Sequence, residues 1–167
     1  RDLVRSRGLG DVYKRQVEFY KNVGVPCCAV MDFDILNDKN KFKRVLKCFE
    51  CDPSGRLSQI AQETRDAIEC DAGKPEETKL RYKRDPLMYL DKIENEVEEL
   101  LDRCLECGCL IVRTGELETV FGEKVAYRSS KRAWLSEALD YLNHLEPGEL
   151  TSLAIVSDLI KMLQVAK

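Results

Sequence analysis

Two acidic clusters set the chemistry that this chain could perform. Asp32 and Asp34 are one residue apart and follow directly on an apolar run, Cys27-Cys28-Ala29-Val30-Met31. In an extended segment, residues i and i+2 project to the same side. Two carboxylates so placed repel each other when both are ionised, and a hard divalent cation relieves that repulsion. Mg²⁺ or Mn²⁺ held there would keep positions open for water and substrate phosphate, the arrangement of metal-assisted phosphodiester hydrolysis. The second cluster, Gly115-Glu116-Leu117-Glu118, follows another apolar run, Cys109-Leu110-Ile111-Val112. Gly115 permits a sharp turn or a close backbone approach, so Glu118 or Glu116 can face the aspartates across neighbouring strand ends. Two plainer readings stand beside these. Asp-x-Asp also serves as a loop or helix cap, and the two glutamates also suit a solvated first helical turn favoured by the helix dipole.

Other residue types offer less. Among eight cysteines, Cys48-x-x-Cys51 and Cys104-x-x-Cys107 have the pairwise spacing of zinc ligands. The pairs are separated by 52 residues, far beyond zinc-ribbon spacing, and fall in helical-looking stretches. The expectation is therefore reduced, structural thiols. The sole histidine, His144, lies near a helix end and reads as a surface residue, leaving almost no material for a Ser-His-Asp triad. Gly73-Lys74 lacks the upstream Gly of a phosphate-binding loop and is followed by Pro75. Of the basic clusters, Lys79–Arg84 reads as a solvated face, and Lys124–Arg132 is a candidate DNA contact.

The elements that must position the acids follow from periodicity. The run 27–31, bounded by Pro26 and Asp32, fits a strand buried on both faces, and 109–112 fits a second. Helical spacing marks 41–49, 57–68 and 87–105, the last with Asp85-Pro86 as its start and Gly108 as its stop. Val17–Val23 reads as a helix end closed by Gly24. Residues 71–78 read as a loop and Glu146-Pro147-Gly148 as a turn. A helix capped by Ser129 or Ser130 runs to about Leu145, with Ala133, Trp134, Ala138, Leu139 and Leu142 inward, and 151–165 is a final helix. Strands separated by helices require a crossover, which predicts an α/β fold with a parallel sheet. In such sheets function sits at the carboxyl ends of the strands, where both acidic clusters fall.

Composition bounds the answer without naming it. The 167 residues give room for about one domain. A 44% hydrophobic and 34% charged chain is ordinary for a globular protein, and no apolar run approaches a membrane span. A cytoplasmic location is the default expectation. Ser6–Gln16 (SRGLGDVYKRQ) resembles the in-frame translation of a transposase-type sequencing adapter, so residues 1–16 are set aside as a non-native scar. A native basic arm is the alternative. Removing that segment takes five basic and two acidic residues from a chain of net charge −3, leaving −6. So acidic a remainder is no general nucleic-acid-coating surface, although metal sites are acidic by construction.

Three stretches, in order, carry a family resemblance. Asn22–Asp38 (NVGVPCCAVMDFDILND) resembles the strand and Asp-x-Asp motif of Toprim domains in OLD-family ATP-coupled endonucleases. Cys109–Glu118 (CLIVRTGELE), about 75 residues on, resembles that family's next strand and Gly-x-Leu-Glu turn. Ser130–Leu142 (SKRAWLSEALDYL) resembles the Ser-Lys-x-x-Trp helix that follows. The matches cover most of 22–145, but not 50–85 or the last twenty residues.

The resemblance implies a truncated Toprim, Rossmann-like parallel sheet over 17–145 with a helical insertion at about 41–106, then a C-terminal helix in 146–167. It implies a DNA endonuclease using Mg²⁺ or Mn²⁺, coupled in the parent protein to an ABC-type ATPase that binds ATP and can oligomerise, in a phage-defence or DNA-repair setting. Asp32 and Asp34 match the metal ligands, Glu118 the later acidic position with Glu116 as second choice, and Lys131 a basic position able to stabilise phosphate charge. A surface lysine at a helix start is the plain reading of Lys131. The family's catalytic Glu, upstream of Asp-x-Asp, has no match here, since Glu18 lies in the helix just before the strand. The expectation is that this chain alone neither hydrolyses ATP nor cuts DNA efficiently. A catalytically degenerate Toprim-like module for DNA binding or assembly is the alternative, and an unrelated α/β domain with acidic caps a third.

Overall fold

A computed structural model describes residues 19–20, 22–25, 27–70, 72, 74–125 and 131–165, with only the backbone of Glu123, Lys131 and Val165. Strand β1 (Ala29–Met31) lies parallel to β2 (Cys109–Ile111). Ala29 pairs with Cys109, Val30 with Leu110 and Met31 with Ile111. The fold is thus mixed α/β, mostly helical, around a small parallel sheet. Among the described residues no helix is long and apolar enough to cross a membrane.

The crossover between the strands is built from helices α1 (Lys39–Phe49), α2 (Arg56–Cys70), α3 (Pro75–Lys83) and α4 (Glu94–Glu106). Asp38 starts α1 by accepting from Asn40 N at 3.1 Å and Lys41 N at 2.9 Å, and Phe42, Leu46 and Phe49 form its buried stripe. Asp52 starts α2 in the same way, accepting from Leu57 N at 3.0 Å and Ser58 N at 2.8 Å. Val97, Leu100, Leu101 and Cys104 bury one face of α4. Each fully buried aliphatic side chain there contributes about 1.5–3 kcal/mol. These faces meet in one core with Phe33, Ile60, Ile68 and Tyr82.

Strand β2 is buried on both sides as expected, whereas β1, expected to be buried likewise, leaves Val30 45% exposed on one face. Cys109 and Ile111 face the crossover core, whereas Leu110 packs with Leu105 and Met162. Met162 belongs to α7 (Ala154–Val165), which follows α5 (Lys131–Asn143) and the short α6 (Pro147–Ser152). Arg113, just beyond β2, fastens these layers by pairing with Glu98, with Asp102 at 2.8 Å, and with Asp158 at 3.8 Å.

Several expectations are corrected. Residues 75–78, expected within the loop 71–78, instead begin helix α3, with Pro75 in its first turn and acids at its start, Glu76 and Glu77. The expected helix 87–105 is broken: 3₁₀ turns at Pro86–Tyr89 and Asp91–Ile93 precede α4, which starts at Glu94. Glu146-Pro147-Gly148 opens α6 through a capping box between Glu146 and Glu149, so two helices, not one, close the chain. On α5, Trp134 and Ala138 are buried as expected, but Ala133 is exposed and Leu139 is 53% exposed. The expected Ser129 or Ser130 cap lies outside the described residues, as does most of the segment 1–23.

Candidate functional site at the carboxyl ends of the two strands

Beyond β1 the chain enters a 3₁₀ turn, Phe33–Asn37, whose Phe33 and Leu36 are fully buried. Their burial fixes the turn and leaves Asp34 on its outer side. Arg65 of α2 pins the turn from beneath, donating from Nη1 to Leu36 O at 2.7 Å. Beyond β2, Gly115 takes φ +106°, a conformation open mainly to glycine. A Cβ there would lie 2.3 Å from Lys83 O. The reason is a close backbone crossing: Arg84 and Gly115 form an antiparallel bridge, Glu116 N donates to Lys83 O at 3.3 Å, and Asp85 N donates to Thr114 O at 3.1 Å.

The two acidic turns are directly joined. Phe33 N donates to Gly115 O at 2.7 Å, and Leu117 N donates to Asp32 Oδ1 at 3.0 Å. Asp32, Asp34 and Glu116 therefore share one end of the sheet. Asp34 loses enough solvent to push its carboxyl above the usual carboxylate range, and the Asp32 charge adds to that rise. Lys83 pulls it down, Glu116 raises it again and Lys41 lowers it.

Glu116 and Glu118 are buried, 7% and 6% exposed, which corrects the reading of a solvated helical turn. Glu116 is held by Lys83 Nζ. Glu118 lies in the 3₁₀ turn Leu117–Thr119, and the Thr119 hydroxyl closes that loop, 2.6 Å from Glu116 O and 2.9 Å from Thr114 O. Lys131 begins α5, but its side chain lies outside the described residues. Most of the basic segment Lys124–Arg132 lies outside them too. His144 is on the surface, with a side chain 77% exposed.

Lys83 is the site residue that sequence reading missed. The cluster Lys79–Arg84 is a solvated face only in part: Lys79 and Arg84 are exposed, but Arg81 is buried against Glu77 and Ile68 O, and Lys83 reaches Glu116. Its basic character was visible in the sequence, but its destination depends on the Arg84–Gly115 crossing, which is non-local.

A hard divalent ion suits these donors chemically. Asp32 and Asp34 supply carboxylate oxygens within one turn, and their mutual repulsion is what a cation would relieve. Asp32 and Glu116 already have protein partners, so binding has to compete with the Leu117 N–H and the Lys83 ammonium. Among the described residues, no group of three or more Asp, Glu, His or Cys side chains stands arranged to hold a metal ion. Comparison with family models, with curated proteins and with solved structures gives no match for this chain.

Proposed function

We propose that this chain carries the Asp-x-Asp portion of a divalent-metal-dependent DNA endonuclease site of Toprim type. The parent protein would be an OLD-family enzyme coupled to an ABC-type ATPase. The reading rests on the resemblance of three stretches and on one geometric observation. The Asp32–Asp34 turn and the Gly115–Glu118 turn meet at the carboxyl ends of two parallel, adjacent strands, tied by the Leu117 N–Asp32 Oδ1 bond.

In this reading Asp32 and Asp34, with Glu118 or Glu116, hold Mg²⁺ or Mn²⁺. The ion, when bound, supplies Lewis-acid stabilisation of phosphate charge and an acidified water. The Leu117 amide orients the Asp32 carboxylate, leaving its other oxygen for the ion. Lys83 holds the Glu116 carboxylate close by an ion pair, and Lys131 is the candidate for stabilising transferred charge on the DNA phosphate. The family's upstream Glu and ATPase motif have no match in this sequence, and in this reading activity on DNA and ATP belongs to the parent protein. The proposed parent works in the cytoplasm, without a membrane partner.

Mn²⁺ titration of the chain by calorimetry tests this. Weak binding is expected, lost in the Asp32→Asn/Asp34→Asn double variant. The source gene, extended upstream, should then encode a protein that nicks supercoiled plasmid with Mn²⁺. Absence of Mn²⁺ binding in both proteins sinks the proposal.

One observation favours a second reading, a degenerate module for assembly or DNA binding. Asp32 and Glu116 are both satisfied by protein donors without any ion. An extended protein that binds Mn²⁺ yet cuts no DNA substrate would decide for it.

A further inference from the structure

The small sheet keeps an open edge along β1. Ala29 N donates to Gly108 O at 2.9 Å and Val112 N donates to Met31 O at 2.9 Å, so the main chains of Ala29 and Met31 face β2. Successive residues of a paired strand direct their N–H and C=O groups to opposite sides. The N–H and C=O of Val30 therefore point away from β2, and among the described residues no strand pairs with that side. The Val30 side chain is 45% exposed, although Leu110, its partner across the ladder, is 3% exposed. Helix α7 accounts for the difference. It covers Leu110 through Met162 and reaches Cys28, whose Sγ lies 3.9 Å from Met162 O, but leaves Val30 open on the same face.

Exposed edges are commonly blunted by Lys, Pro or a bulge. Ala29-Val30-Met31 has none of these: it is apolar throughout and pairs residue for residue with β2. What such an edge accepts follows from its chemistry. A main-chain donor and acceptor beside an apolar side chain select an extended, apolar backbone segment. Charge selects among such segments. Residues 22–31 carry no charged side chain, in a chain of net charge −3, so two copies can meet here without like charges opposed. The relative direction follows as well. A parallel self-pairing in register would set Asp32 beside Asp32, which like-charge repulsion disfavours. An antiparallel pairing centred on Val30 sets Asp32 of each copy opposite Cys28 of the other and sends the two acidic turns to opposite ends.

We propose that β1 is a self-association edge: two copies of this chain pair their β1 strands antiparallel about a two-fold axis at Val30. The joined sheet runs in the order β2-β1-β1-β2. Each Val30 N–H donates to the Val30 carbonyl of the other copy. The two valine side chains then lie next to each other on one face and cover the apolar surface that each leaves open. The interface is isologous, so it closes at two copies and does not propagate into a fibre. Nothing in this pairing uses a metal ion, and it stands or falls independently of the nuclease reading.

The test is sedimentation velocity of the full 167-residue chain, kept reduced, over a concentration series. A monomer–dimer equilibrium is expected. Val30→Lys sets two ammonium groups together at the two-fold axis and should weaken association by about tenfold or more. Its Tm at low concentration should stay near that of the unaltered chain, because the position is 45% exposed. Val30→Cys gives a second readout that does not depend on the lysine variant folding. Directly opposed residues of a hydrogen-bonded antiparallel pair have Cα atoms about 5.5 Å apart, within disulfide reach. Mild oxidation should therefore link the two introduced thiols to each other, as read by peptide mapping. A chain that stays monomeric throughout the series, a dimer as tight with Val30→Lys as without it, or introduced thiols that never join each other overturns the proposal.

Discussion

The main-chain N–H of Leu117 donates to Asp32 Oδ1 at 3.0 Å, across 85 positions of sequence. This bond makes Asp32 both a structural acceptor and a candidate ligand, and substitution separates the two. Asp32→Asn keeps an acceptor oxygen and should retain near-native stability, whereas Asp32→Ala should lose about 1 kcal/mol in urea denaturation. Both should lose Mn²⁺ binding. Native Mn²⁺ affinity in Asp32→Asn would remove Asp32 from the ligand set.

Gly115→Ala should be the most damaging single change at the site. Its Cβ would meet Lys83 O at 2.3 Å, and the φ of +106° is strained for any L side chain. Steric overlap with backbone cannot be relieved by a rotamer change, so a loss above about 3 kcal/mol is expected. A denaturation midpoint like that of the unaltered chain would show that the Lys83–Gly115 crossing is not this close.

Lys83→Met leaves the Glu116 side chain buried without its ammonium partner. Lys83 itself is 41% exposed, so the pair's direct attraction is small, but the stranded carboxylate raises the cost to about 1–3 kcal/mol. Adding Glu116→Gln should recover much of that loss, giving a positive coupling in a double-mutant cycle. Additive single effects would contradict the pairing.

Asp38 gives an acid-dependent prediction. The Lys41 backbone N–H holds its carboxyl below the usual carboxylate range against the opposing effect of burial. A depressed folded pKa stabilises the fold above the unfolded value of about 3.9, and the contribution is lost as pH falls through the folded value. Asp38→Asn retains a capping oxygen but does not titrate. The stability difference between the two chains should therefore change only below about pH 4, followed by thermal melts from neutral to acid. A difference constant across that range would refute the assignment.

The local signals were legible in sequence where one interaction dominated. Uninterrupted apolar runs marked both strands, and the stripes of α1 and α2 gave those helices to within a few residues. The signals failed where stability is non-local. Helix α3 buries Arg81 and Tyr82 rather than a periodic apolar stripe, so its pattern looked like a loop. The 87–105 stripe ran unbroken through Leu90, yet the backbone there is not helical. At the site, the acidic residue types and strand-end positions were readable, whereas the Lys83–Glu116 pair depends on a contact that residue spacing does not encode.

Arg65 holds the first acidic turn by Leu36 O, and the Lys83–Asp85 strip holds the second by its main chain. Both clamps come from the long excursion between the strands. Exchanging that excursion for a brief linker would leave two strands able to pair and two carboxylate loops held only by their hydrogen bonds to each other. Conversely, any molecule gripping α2 or α3 acquires mechanical leverage on the acidic turns without touching them.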